Sequence, residues 1–255
     1  MRTMIKYVVL DLIKNRIILV YTFFLLLMSL GMFSMDENTT KGIMSLMNLV
    51  LIIIPLVSII FSTIYVYNSS EFIELLAAQP LKRKSLWLSI YSGLALSLSL
   101  AFMIGVGIPV LLFDGTLTGW VLVLSGLFQT IIFTGIALLA AVKTRDKAKG
   151  IGVAIFLWFF FTLIYDGLVL LLLFQFSDYP LEKPMIALSM LNPVDLSRIL
   201  ILLKLDISAL MGYTGAVFSN FFGSGFGMLL SVAILFLWSA VPVWFSLKQF
   251  QQKDL

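Results

Sequence analysis

Six stretches of 17 to 28 residues carry between them a single charged side chain, and no other feature restricts the possible folds of this chain so strongly. Bilayer hydrocarbon is about 30 Å thick, so a helix rising 1.5 Å per residue needs about 20 apolar residues to cross it. Residues 17–33, 43–67, 86–113, 119–142, 150–176 and 226–247 qualify, the first barely and the others with length for some tilt. They take up 143 of the 255 residues and hold one charge, Asp166, while the connecting segments hold the other 29. A low-dielectric slab enforces that partition. The expected fold is an all-α membrane protein with six transmembrane helices.

Alternating the connections between two sides puts the N-terminus, the 68–85 and 143–149 loops and the C-terminus together, with thirteen Lys and Arg residues. The other side has only Lys41, Lys183, Arg198 and Lys204, together with seven acidic residues. The positive-inside rule makes the first side cytoplasmic, so both termini are expected inside. No cleavable signal peptide is expected, because the first apolar run follows sixteen residues of mixed sequence. On a helix, Ile5, Val8, Val9, Leu12 and Ile13 share one face and Arg2, Lys6 and Lys14 lie toward the other. Residues 1–16 therefore read as an amphipathic helix lying in the interface, the alternative being the wet end of the first span. Prolines 55, 109 and 242 fall within spans, where they can kink a helix or unwind a turn.

Composition removes whole classes of chemistry. The chain is 61% hydrophobic, has a net charge of only +4, and contains neither His nor Cys. That excludes a Ser-His or Cys-His nucleophile, a zinc site of the usual kind and any disulfide, and it does not suggest nucleic acid. No G-x-x-x-x-G-K-[ST] phosphate loop occurs, so any ATP-driven transport needs a separate ATPase. The chain itself is expected to be no enzyme and to bind no cofactor, with ATP and Mg confined to that partner.

Five features stand out as candidate sites. In the cytoplasmic loop 68–85, NSSEFIELLAAQPLKRKS, Ser69 or Ser70 can cap a short helix with Glu71 in its first turn. Phe72, Leu75 and Leu76 make an apolar face beside Glu74, and Pro80 ends the helix before Lys82, Arg83 and Lys84. The loop reads either as a docking knob or as a re-entry turn with basic anchors. Asp166 must face a partner or a cavity, Thr162 and Tyr165 being nearby donors; a packing role and a role in the conduction path are both open. In the outer segment 177–225, Asn192 caps a helix, Pro193 takes its first position and Arg198 can pair with Asp195 at i+3; the same helix could offer a docking surface. Glycines 212, 215, 223, 225 and 227 suggest a flexible lid or hinge. Met28, Met32, Met35, Met44 and Met47 lie near the outer mouth, with Met185, Met190 and Met211. Thioethers suit Cu(I), and methionine is also a common packing residue.

The interfacial helix, the six spans, the acidic-leucine-proline-leucine-x-arginine loop and the long outer segment together resemble an ABC-2 (type V exporter-like) permease. More narrowly, ELLAAQPLKR, WFFFTLIYDGLVLLLL and LSMLNPVDLSRILILL resemble the NosY-type permease family, the membrane subunit of the transporter that matures the copper site of nitrous oxide reductase. Many members have Gly-Thr where this chain has Glu71-Phe72. The resemblance covers essentially the whole chain and implies a single membrane domain, 1–255, in a bacterial inner membrane. It also implies two permease copies, two ATPase subunits touching the 68–85 loop, and a periplasmic copper-handling protein. The cargo it implies is a sulfur species. The alternatives are an ABC-2 exporter of a lipid, drug or peptide, and a secondary transporter using Asp166.

Overall fold

A computed structural model describes residues 2–35, 39–79, 82–176, 179, 181–205 and 212–252, leaving aside the side chains of residues 2–4, 39, 182 and 212–216. All the regular structure in these residues is helical, as expected where hydrocarbon offers the backbone no other hydrogen-bond partner. Helix α1 (Arg2–Ile13) precedes the first span, α2 (Arg16–Met35), and the second, α3 (Thr39–Asn68), which leads into short α4 (Ser70–Ala77). The third span is α5 (Arg83–Phe102), a π turn at Met103–Gly107 and α6 (Ile108–Phe113); the fourth is α7 (Leu117–Lys143). The fifth is α8 (Lys147–Phe159), a π turn at Phe160–Ile164 and α9 (Tyr165–Gln175). Helices α10 (Glu182–Met190), α11 (Pro193–Lys204) and α12 (Gly212–Phe222) precede the sixth span, α13 (Gly225–Gln252).

Among the described residues six long apolar helices thus occupy the six expected stretches, each running past the apolar run at one or both ends. Helix α7 is the centre: α3 and α13 pack along it, and α5 and α11 complete its surround. Helix α1 packs along α5, with Val8 against Gly93 and Leu12 fully buried. Ile13, expected on the apolar face, is exposed instead, because the helix ends there and the chain turns into α2.

Both π turns hand a carbonyl to a neighbouring side chain. Pro109 has no N–H to give Gly105, four residues earlier, and the Ser29 hydroxyl of α2 donates to that carbonyl at 2.7 Å. In the fifth span the Tyr165 amide bonds Phe160 rather than Phe161, and the Asn192 amide donates to the Phe161 carbonyl at 2.8 Å.

The segment expected to lie outside the bilayer folds back into the bundle. Helices α10 and α11 are bent by 114° at 191–192. At the far end of α11, Thr118 near the start of α7 donates to the Lys204 carbonyl at 3.1 Å. At its near end, Gln129, eleven residues further along α7 and about 16 Å deeper, donates to the Pro193 carbonyl at 2.7 Å. The bend therefore reaches toward mid-membrane. Neither helix is long enough to cross alone, so a hydropathy reading assigns both to the outside.

Candidate functional site

The apex of this hairpin gathers the polar groups of three spans. Asn192 is fully buried, its side-chain Oδ1 capping α11 by accepting from the Val194 amide at 3.0 Å while its Nδ2 donates to the Phe161 carbonyl. Arg198 donates to Asp195 at 3.2 Å, the expected i+3 pair, and also to Asp166 of the fifth span at 2.7 Å. Gln129 of the fourth span donates to Ser197 at 2.8 Å as well as to Pro193. Tyr165 donates to the Leu188 carbonyl at 2.7 Å, and the Trp238 indole of the sixth span to that of Met190 at 3.3 Å.

Asp166 and the N-P-x-D-x-x-R stretch are thus one site. Asp166 does not take its hydrogen bonds from Thr162, which donates to the Trp158 carbonyl, or from Tyr165. A threonine in a helix reaches its own i−4 carbonyl more readily than a neighbouring carboxylate. The guanidinium between the two carboxylates offsets the cost of their burial, and Asp166 is an ion-pair member rather than an isolated intramembrane carboxylate. Gln129 carries no charge and so escapes a search for ionisable groups; a fully buried amide at mid-span is the signal that finds it.

The second candidate lies on the side that bears the termini. Ser69 alone separates α3 from α4, and neither Ser69 nor Ser70 makes the expected cap: Ser69 forms no side-chain capping bond, and the Ser70 hydroxyl donates back to Tyr67. The near-continuous backbone explains this, with the Ser69 amide bonded to Tyr65 and its carbonyl to Ile73. Ile73, absent from the expected apolar face, is the anchor at 5% exposure, and Leu76 is half-buried beside it. Phe72 and Leu75 are 60% and 68% exposed, with Glu71 and Glu74 also at the surface. Pro80 lies outside the described residues.

The platform under α4 is tied together by side chains from the second, third, fifth and sixth spans and by Thr144, which caps the fourth. The Tyr67 hydroxyl donates to the Thr144 carbonyl and also bonds the Thr144 hydroxyl, Lys147 donates to Asn68 at 2.7 Å, and Gly150 leaves the room that the Tyr67 ring fills. Trp87 stacks on Phe250 and donates to Ser246, and Arg83 donates to the Gln251 carbonyl. A cleft of about 360 Å³ lies between α4 and this layer, lined by Tyr67, Ile73, Glu74, Trp87 and Arg145.

The remaining candidates are dispersed. Met47 is buried in the core and Met32 packs against it, Met44 is half-buried, and Met28 and Met35 are exposed, so the five share no common environment. Met211 lies outside the described residues. The glycine-rich stretch forms a helix and a tight turn: a side chain at Gly227 would meet the Phe221 carbonyl, and Ser224 accepts from the Gly227 amide at 3.0 Å. Among the described residues no cluster of three or more Asp or Glu could hold a metal ion.

No family model matches the chain. It is 28% identical over 220 residues to a probable ABC transporter permease protein NosY from Stutzerimonas stutzeri, covering 79% of this chain and 74% of that protein. It is 26% identical over 212 residues to the protein of the same name from Pseudomonas aeruginosa, covering 78% and 74%. With six apolar spans among the described residues and similarity over most of its length to two such proteins, the chain resembles the NosY permeases, and the likeness supports a transmembrane permease subunit of an ABC transporter.

Proposed function

We propose that this permease assists assembly of the copper-sulfur site of nitrous oxide reductase by moving a sulfur species across the inner membrane, driven by a separate ATPase. The similarity to two NosY proteins over nearly four fifths of the chain carries the reading. The excess of Lys and Arg on the terminus-bearing side supports a cytoplasmic location for that side. The working unit is two copies of this chain, arranged as an ABC-2 exporter, with two ATPase subunits and a periplasmic copper-handling protein.

Phe72 and Leu75 are the contact for the ATPase. Ile73 fixes α4 to the bundle, so closure of the ATPase pair on ATP pushes a rigid knob rather than a slack loop. The push reaches α3 directly, α7 and α8 through Tyr67, Thr144 and Lys147, and α13 through Trp87 and Arg83. Spans tied at one end and pinned by the hairpin near mid-membrane re-tilt between inward and outward access.

Purification of the complex from native membranes tests the subunit assignment: an ATPase must co-migrate, and Phe72→Asp must abolish ATPase stimulation while leaving the chain folded. Absence of an ATPase overturns the reading. Normal copper content of nitrous oxide reductase in cells lacking the chain, with ATPase coupling intact, leaves instead an exporter of a lipid, drug or peptide.

A further inference from the structure

A groove runs down the outside of the bundle between the fourth, fifth and sixth spans, enclosing about 500 Å³. Leu139 of α7, Val153 and Leu157 of α8, and Val241 and Phe245 of α13 form its walls. Its inner end is closed by Phe161 and Trp238, packed edge to face with centroids 5.4 Å apart. Its open end lies at Lys143, in the last turn of α7 on the terminus-bearing side. Lys248 lies three residues beyond Phe245 on the same face of α13, with its ammonium 5.8 Å from the centroid of the Trp244 ring. Neither lysine has a carboxylate partner among the described residues. Asp146, the acid nearest Lys143 in sequence, is engaged in capping α8.

The dimensions match one leaflet. Eight residues separate Val153 from Phe161 and seven separate Trp238 from Phe245, about 10–12 Å of helix; one further turn to the lysines makes about 15 Å, half the hydrocarbon thickness. The trough is apolar over that depth and cationic at headgroup level.

We propose that this groove binds an anionic phospholipid of the leaflet on the basic side, an acyl chain lying between the fourth, fifth and sixth spans and the phosphate held between Lys143 and Lys248. A neutral lipid fits the walls but leaves the two ammonium groups without a counter-charge. A second copy of this chain, related by a two-fold axis along the membrane normal, would bring its own Lys143 and Lys248 to the same level, where like charges oppose it. The tail ends on Trp238, whose indole donates to Met190 in the hairpin, so an occupied groove braces the apex from below.

The test uses the full-length chain in phosphatidylcholine vesicles carrying acyl-brominated phosphatidylglycerol or acyl-brominated phosphatidylcholine, read by tryptophan fluorescence. The quenching lost in Trp238→Phe is the groove's own signal. That signal is expected to favour phosphatidylglycerol by more than about tenfold, to lose about fivefold of the preference in Lys143→Gln, and to reach parity in Lys143→Gln/Lys248→Gln. Equal quenching by the two lipids in the wild-type chain, or a preference kept by the double variant, overturns the proposal. A Trp238 signal shielded from both lipids also overturns it, and assigns the groove to a second copy.

Discussion

The fourth and fifth spans are equally hydrophobic, with mean hydropathies of 2.1 and 2.2 over their most apolar windows, yet 72% of that window is buried in the fourth and 6% in the fifth. Hydropathy therefore says which helices enter the membrane and nothing about which lie at the centre. Lipid tails are as apolar as leucine, so moving apolar surface from lipid into protein gains little, and burial follows close packing. Helix α7 has Gly126, Thr130, Thr134, Ala137 and Ala141 facing its neighbours, which lets α3, α5 and α13 approach. The fifth span turns Phe156, Phe159, Leu163 and Leu171 outward and is fastened at a few polar points: Trp158 to the Ile52 carbonyl, Phe161 to Asn192, Tyr165 to Leu188 and Asp166 to Arg198.

That contrast, one span held by shape and the other by fastenings, can be broken by substitution. Arg198→Gln leaves Asp166 and Asp195 without their cation and is expected to cost about 3 kcal/mol or more. Thermal melting of the chain in detergent measures the loss, and hydrogen exchange should rise in α9 to α11 while α7 stays protected; equal loosening of α7 would erase the distinction. Phe133→Ala, at a fully buried position of the fourth span, should cost about 2–3 kcal/mol, because the cavity penalty remains even where transfer to lipid is neutral. Gln129→Leu frees the Pro193 carbonyl and the Ser197 hydroxyl from their donor and should cost about 1–2 kcal/mol. The same melting series should show that loss shrinking in an Arg198→Gln background, where the apex is already loose. Leu170→Ala, on the exposed face of the fifth span, should change the melting free energy of the detergent-solubilised chain by less than about 0.5 kcal/mol. A larger effect there would mean that this face is packed after all.

The six spans were legible because they rest on run length and the near absence of charge, both local properties. Their ends were less so: α7 runs on to Lys143 and α8 starts at Lys147, since a lysine can stay helical while its ammonium reaches the headgroups. The cap of α11 and the Asp195–Arg198 pair were legible too, being contacts within one turn. The hairpin was not. Asp166 and Arg198 are 32 residues apart, and their pairing depends on α10 and α11 folding back beside α7, where periodicity leaves no trace. On α4 the apolar spacing placed a helix correctly but could not say which apolar residue anchors it; Ile73 takes that role because the bundle lies on its side of the helix, leaving Phe72 and Leu75 outward.

The π turn at Phe160–Ile164 works as a phase shift in the fifth span. A π turn is one residue more than an α-helix needs, and each residue of an α-helix turns it by about 100°. Deleting one residue there would leave a perfectly good transmembrane helix, still apolar and still long enough to cross. Everything beyond the deletion would nevertheless be rotated by about a quarter turn, carrying Asp166 away from Arg198 and Tyr165 away from Leu188, while Trp158 on the near side kept its place. The extra residue thus sets the azimuth of the outer half of the span independently of the inner half, and a single-residue deletion would undo the hairpin's attachment to the fifth span without disturbing its insertion.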